Sequence, residues 1–191
     1  MRRRQFTTGW VAAGGVWAGG WIVGPARAAG LSEFDAASGV RSAVERGASR
    51  SLSQAPQIGY TLLDGQQRHT RQLQGQVVLV NFWATSCSSC VAEMPELVAT
   101  YQQFRGQAFQ TLAVSMAYDP PAAVADFAEN RKLPFPVVID NTGEIARSFG
   151  PVSLTPTTLL INKRGQIVKR YLGPPDFVAL RRLIGQLLAE A

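Results

Sequence analysis

Only two cysteines and a single histidine, His69, occur among the 191 residues. So small a set cannot supply a disulfide framework, and it falls short of tetrahedral zinc, which takes four side-chain ligands or three and a water. The chain also lacks a repeat of fixed period, a Ser/Gln/Pro tract and any block of like charges, which removes solenoid and disordered readings. No apolar run reaches the roughly 20 residues that a membrane span needs. The net charge of +6 hints at a polyanionic partner, but Arg2, Arg3, Arg4 and Arg27 supply four of those charges, and without them the balance is +6 − 4 = +2. The remaining basic residues form no stripe and no aromatics are interleaved with them, so no nucleic acid partner is expected. What is present, 46% hydrophobic and 17% charged residues, suits one ordinary domain with a short extension. No heptad seam is visible, and a monomer is expected.

Arg2-Arg3-Arg4 precede a weakly apolar, Gly-rich stretch over 9–24, followed by Pro25 and the small-x-small triplet Ala26-Arg27-Ala28. This is the layout of an export signal over 1–28, cleaved after Ala28, and Arg3-Arg4-Gln5-Phe6 resembles the core of a twin-arginine signal. The competing reading is an uncleaved membrane anchor. Residues 29–55 read as a tail or short helix and 56–191 as the folded domain. Export to the periplasm places that domain where disulfides persist.

Ile58, Tyr60 and Leu62 alternate before the turn Asp64-Gly65, which predicts an N-terminal β-hairpin. Residues 77–83 are almost continuously apolar and β-branched, the pattern of a strand buried on both faces. After Cys87 the period changes: Val91, Met94, Leu97, Val98 and Tyr101 predict a helix over 87–104, interrupted or kinked by Pro95. Further strands are expected at 109–115, 137–139, 157–162 and 167–171, the last two as an antiparallel hairpin about Arg164-Gly165. Further helices are expected at 122–130, 142–149 and 176–189. Alternating strands and helices with a closing hairpin predict an α/β fold with a central mixed sheet flanked by helices.

Cys87 and Cys90 stand three apart, a spacing that random placement gives about once in a hundred. They fall where a buried strand passes into a helix, and the free N–H groups and dipole of a helix N-terminus stabilise a thiolate. Cys87, at the exposed end, is the expected nucleophile, and Cys90, one turn on, the resolving thiol. A static bridge across so short a loop removes little chain entropy. A binding module for copper or haem delivery, with both cysteines as soft ligands, lacks an obvious third ligand. A thiol peroxidase would need a Pro/Thr-containing loop before its cysteine, and Trp83-Ala84-Thr85-Ser86 has no proline. His69 reads as a surface strand residue rather than a base. No metal ligands are assigned, and no cofactor beyond the redox-active pair.

Val80-Asn81-Phe82-Trp83-Ala84-Thr85, Cys87-Ser88-Ser89-Cys90 and Glu93-Met94-Pro95-Glu96-Leu97 together resemble the exported thioredoxin-like proteins of the TlpA and ResA type, and the likeness runs from about residue 56 to the C-terminus. The resemblance implies a thioredoxin-like fold with a family insertion over 119–130 and exchange of dithiol for disulfide with exported protein thiols or disulfides. It further implies a reductase, as in cytochrome c maturation, re-reduced by a membrane electron-transfer protein. Carried onto this chain, it makes Thr155-Pro156 the cis-proline loop that meets an extended partner, Glu93 a carboxyl that exchanges a proton with Cys90, and Trp83 the floor of the site and part of its substrate-binding surface. Three positions depart from the pattern: Ser86 stands where the family has Trp, Ser89 where it has Pro, and Asn81 where thioredoxin keeps Asp. Serine hydroxyls donating to the Cys87 thiolate would make the pair more oxidising.

Overall fold

In the computed structural model the chain divides into the units Met1–Ser49 and Arg50–Ala191, and the structure describes residues 52–190 together with Gly15 and Gly20. The export signal and most of the tail expected over 29–55 lie outside the described residues. Among those residues, no helix is long and apolar enough to cross a membrane.

The run Val77–Trp83 forms β3, every residue of which is buried, as a strand covered on both faces must be. It is the centre of a five-stranded sheet ordered β5 (Val137–Ile139), β4 (Phe109–Ser115), β3, β6 (Thr157–Ile161), β7 (Ile167–Leu172). β3, β4 and β5 are parallel, whereas β6 runs antiparallel to β3 and β7 antiparallel to β6. The mixed sheet is therefore the one expected.

Strand alternation sorts the core into two layers. Val77, Leu79 and Trp83 face a cluster with Cys90, Met94, Leu97 and Phe104 of α1 (Ser88–Phe104), Val124 and Ala128 of α2 (Pro121–Asn130), and Leu180, Ile184 and Leu187 of α4 (Phe177–Ala189). Val78, Val80 and Phe82 face the other way, onto Tyr60 and onto Ala146 of the one-turn helix α3 (Glu144–Ser148). α4 starts at Asp176, whose carboxylate accepts the N–H groups of Val178 and Ala179, an N-cap worth about 1 kcal/mol.

The predicted hairpin is present as β1 (Gly59–Thr61) and β2 (Gln67–His69). Gly65 takes φ 82° at its turn, a conformation an L side chain resists. Both sheet edges are partly covered, which blunts edge-to-edge aggregation. Leu62 bridges Val138 and the Leu63 N–H donates to Val137, on β5. At the other edge the Ala55 N–H donates to Gly165 and the Ile167 N–H to Ser53, so residues 53–55 pair along the start of β7.

α1 runs unbroken through Pro95, contrary to the expected interruption. A proline removes one helical hydrogen bond, but Met94 and Leu97 on either side are buried in the core and hold both turns in place. α3 is shorter than expected because the Asp140 carboxylate caps its first turn, accepting the N–H groups of Ile145 and Ala146.

Candidate redox site

β3 ends at Trp83, and within four residues the chain has turned into α1. The Cys87 N–H donates to Ala84 (3.1 Å), closing the turn. Cys87 is the N-cap of α1, with φ −91° and ψ 104°, the extended backbone typical of that position. Its sulfur accepts the Cys90 N–H at 3.2 Å and lies 3.4 Å from the Ser89 hydroxyl. Cys87 and Cys90 are joined in a disulfide with their Cα atoms 5.3 Å apart. Cys87 is half-buried and Cys90 fully buried. A partner sulfur can thus reach the first but not the second, and reduction leaves the Cys87 thiolate facing an N–H donor and the positive end of a helix. Of the two intervening serines, Ser89 meets the sulfur, while Ser88 is exposed.

Beneath the pair, Trp83 has no exposed surface, and its ring packs against Phe127 of α2 at 5.0 Å. This corrects the substrate-binding role expected of Trp83: a side chain covered on all sides supports the pair from below and does not touch a partner. Glu93 lies three residues past Cys90, on the same helix face. It is buried, and its Oε1 accepts from Asn81 Nδ2 at 2.9 Å, while the same amide donates to Thr158 Oγ1 at 2.9 Å. Its Oε2 has no partner among the described residues. Burial raises the Glu93 carboxyl and the Asn81 hydrogen bond partly offsets this, leaving it pushed up to about 7.

Thr155-Pro156 is a cis peptide bond immediately before β6. Thr157 pairs with Phe82, so this loop lies at the same sheet end as the turn leading to Cys87. The structure therefore gathers Cys87, Cys90, Glu93 and Trp83 on β3 and α1, with Thr155 and Pro156 arriving from β6. His69 ends β2, where its Nδ1 accepts the Arg71 N–H as a local cap.

A third loop, after β4, is part of the site and was not anticipated. The Met116 N–H donates to Trp83, and the buried Asp119 carboxylate accepts both the backbone N–H (2.7 Å) and the hydroxyl (2.6 Å) of Thr85. Next to it, the Tyr118 and Thr155 hydroxyls share a hydrogen bond of 3.2 Å. The sequence signal was slight: Asp119 precedes Pro120-Pro121, and Thr85 lies 34 residues away.

Residues 51–181 match the family model described as Redoxin. The chain is 36% identical over 130 residues to the thiol-disulfide oxidoreductase ResA of Halalkalibacterium halodurans, spanning 66% of this chain and 73% of that protein. It is likewise 36% identical over 121 residues to the ResA of Geobacillus thermodenitrificans, spanning 63% and 68%. Among solved structures, a putative thioredoxin from Neisseria meningitidis superposes with a TM-score of 0.68 at 36% identity, covering 73% of this chain and 93% of that one. A putative thiol:disulfide interchange protein DsbE from Chlorobium tepidum gives 0.66 at 26% identity, covering 72% and 97%.

Proposed function

This chain belongs to the Redoxin family and is a thiol:disulfide oxidoreductase of the TlpA and ResA type, and from that premise we propose that it reduces disulfides in exported proteins through Cys87 and Cys90. The observation that carries the assignment of roles is the disulfide at the cap of α1, with Cys87 half-buried and Cys90 fully buried. In the reducing direction the Cys87 thiolate attacks a partner disulfide, forming a mixed disulfide and releasing one partner thiolate. Cys90, deprotonated, then attacks the Cys87 sulfur, which closes the Cys87–Cys90 bond and frees the second partner thiolate. Two electrons pass to the partner, and the proton of Cys90 goes to Glu93 Oε2, the carboxylate oxygen free of hydrogen bonds within the protein among the described residues.

The export layout of residues 1–28 supports a periplasmic setting, and the resemblance supports a membrane electron donor and a place in cytochrome c maturation. Against the copper- or haem-delivery alternative, no three His, Cys, Asp or Glu side chains are placed to hold a metal ion among the described residues. The contacts of Cys87 with the Cys90 N–H and the Ser89 hydroxyl favour the thiolate, and hence the reduced protein, which raises the potential of the pair. Equilibration with a glutathione buffer, with the single Cys→Ser variants as controls, is expected to give a reversible potential less negative than that of thioredoxin, about −270 mV, yet nearer to it than to the oxidant end of the range. A value near about −120 mV would make the protein an oxidant, and absence of reversible equilibration would overturn the exchange reading.

A further inference from the structure

We propose that Tyr118 is the specificity-determining aromatic of the partner-docking surface, and that it receives an apolar side chain flanking the cysteine of an extended partner segment. Tyr118 is 62% exposed, a large share for an aromatic ring, yet it is not free to swing. Its hydroxyl is tied to Thr155 Oγ1, and its neighbour Asp119 is anchored to Thr85, two residues before Cys87. The ring is therefore held between the loop that carries the nucleophile and the loop that carries Pro156. The loops that carry Thr85 and Cys87, Tyr118 and Thr155 all lie at one end of the sheet, so this surface adjoins the interface that the exchange reaction itself requires.

The chemistry of the occupant follows from the exposed side chains on and beside the loop to which the ring is tied. Leu154, directly before Thr155, is 62% exposed, and Leu172, paired with Thr157 beside it, is 67% exposed. Asp119, the one carboxylate in the tyrosine's own loop, is buried and engaged by Thr85, so it offers no exposed negative charge to draw a cationic side chain. Tyrosine supplies a large contact area at little conformational cost, and here the hydrogen bond to Thr155 has already restricted it. Tyr118 thus offers, from the β4 loop, an aromatic surface that Ser86 cannot provide beside the cysteine.

This role rests on the oxidoreductase reading, and the test separates the two. The reduced full-length protein is mixed with two peptides that each carry an internal disulfide, one with leucines and one with serines flanking the cysteines, and with oxidised glutathione as a small substrate. Release of reduced peptide is followed by chromatography. Tyr118→Ala is expected to lower kcat/KM for the leucine peptide about tenfold, leaving the serine peptide, glutathione and the reduction potential unchanged. Tyr118→Phe, which keeps the ring, retains most of the preference. Equal losses on all three substrates, or no loss on the leucine peptide, overturn the docking role while leaving the exchange reading intact. A wild-type protein inert towards all three overturns both.

Discussion

Replacing Glu93 by Gln should make the protein less sensitive to alkali, and the size of the effect follows from where the carboxyl sits. Its ordinary value of 4.5 is raised to about 7 in the folded protein by burial. Below the lower value both the folded and unfolded chains hold the proton, so this group makes no pH-dependent difference. Between the two values the unfolded chain has released its proton and the folded one has not, so stability falls as pH rises. Above about 7 the loss is complete, and at about 1.4 kcal/mol per pH unit it amounts to roughly 3 kcal/mol. A glutamine side chain at this position would keep the oxygen that accepts from Asn81 and cannot ionise. Urea unfolding of the oxidised wild type and Glu93→Gln at a series of pH values gives the test, taken as the difference between the two so that other titrations cancel. The variant should gain on the wild type by roughly 3 kcal/mol between about pH 4 and pH 9. A difference that stays flat across that range would refute the claim that burial raises this carboxyl above its ordinary value.

Asp119→Ala removes both acceptors of Thr85 and with them the anchor of the β4 loop. Hydrogen bonds to a charged acceptor carry about 1.5–3 kcal/mol each, so a fall of about 2 kcal/mol or more in unfolding free energy is expected, and a shift below about 0.5 kcal/mol would show that the loop is held otherwise. Asn81→Ala deletes the donor that holds Glu93 down, so the Glu93 carboxyl should titrate at a higher pH than in the wild type. The pH profile of mixed-disulfide resolution reads this directly, and a profile that is unmoved or moves to lower pH contradicts the assignment.

The central strand, the helical period of α1 and the cysteine pair at their junction were all legible, because each is a local pattern: a doubly buried strand is continuously apolar, and a helix repeats its apolar face. The placement of Glu93 came through resemblance, and its partner Asn81 was noticed only as a departure from thioredoxin. Trp83 was misjudged because a strand buried on both faces has no polar alternation to show which side chains a neighbouring helix will cover, and here Phe127 closes over the ring. Pro95 was misjudged because a local rule about proline yields to core packing on either side of it. The Asp119–Thr85 and Tyr118–Thr155 contacts span 34 and 37 residues; they exist only once β4 and β6 lie beside β3, and no spacing in the chain announces them.

That convergence is a consequence of strand direction. β3 and β4 are parallel, so the loops that follow them emerge at one end of the sheet, and β6, antiparallel to β3, begins at that same end. Ligand sites of open α/β sheets gather at such strand ends for this reason. Here the three loops divide the work. The loop after β3 carries Cys87 and leads into α1, which carries Cys90 and the buried carboxyl, so this segment sets the potential and the proton transfers. The loops after β4 and before β6 contribute Tyr118 and Thr155, neither of which bonds to a sulfur atom. Substitutions at Tyr118 and Thr155 should therefore change which proteins are served while leaving the potential in place, whereas a change at Ser89, whose hydroxyl meets the Cys87 sulfur, should move the potential for every partner alike.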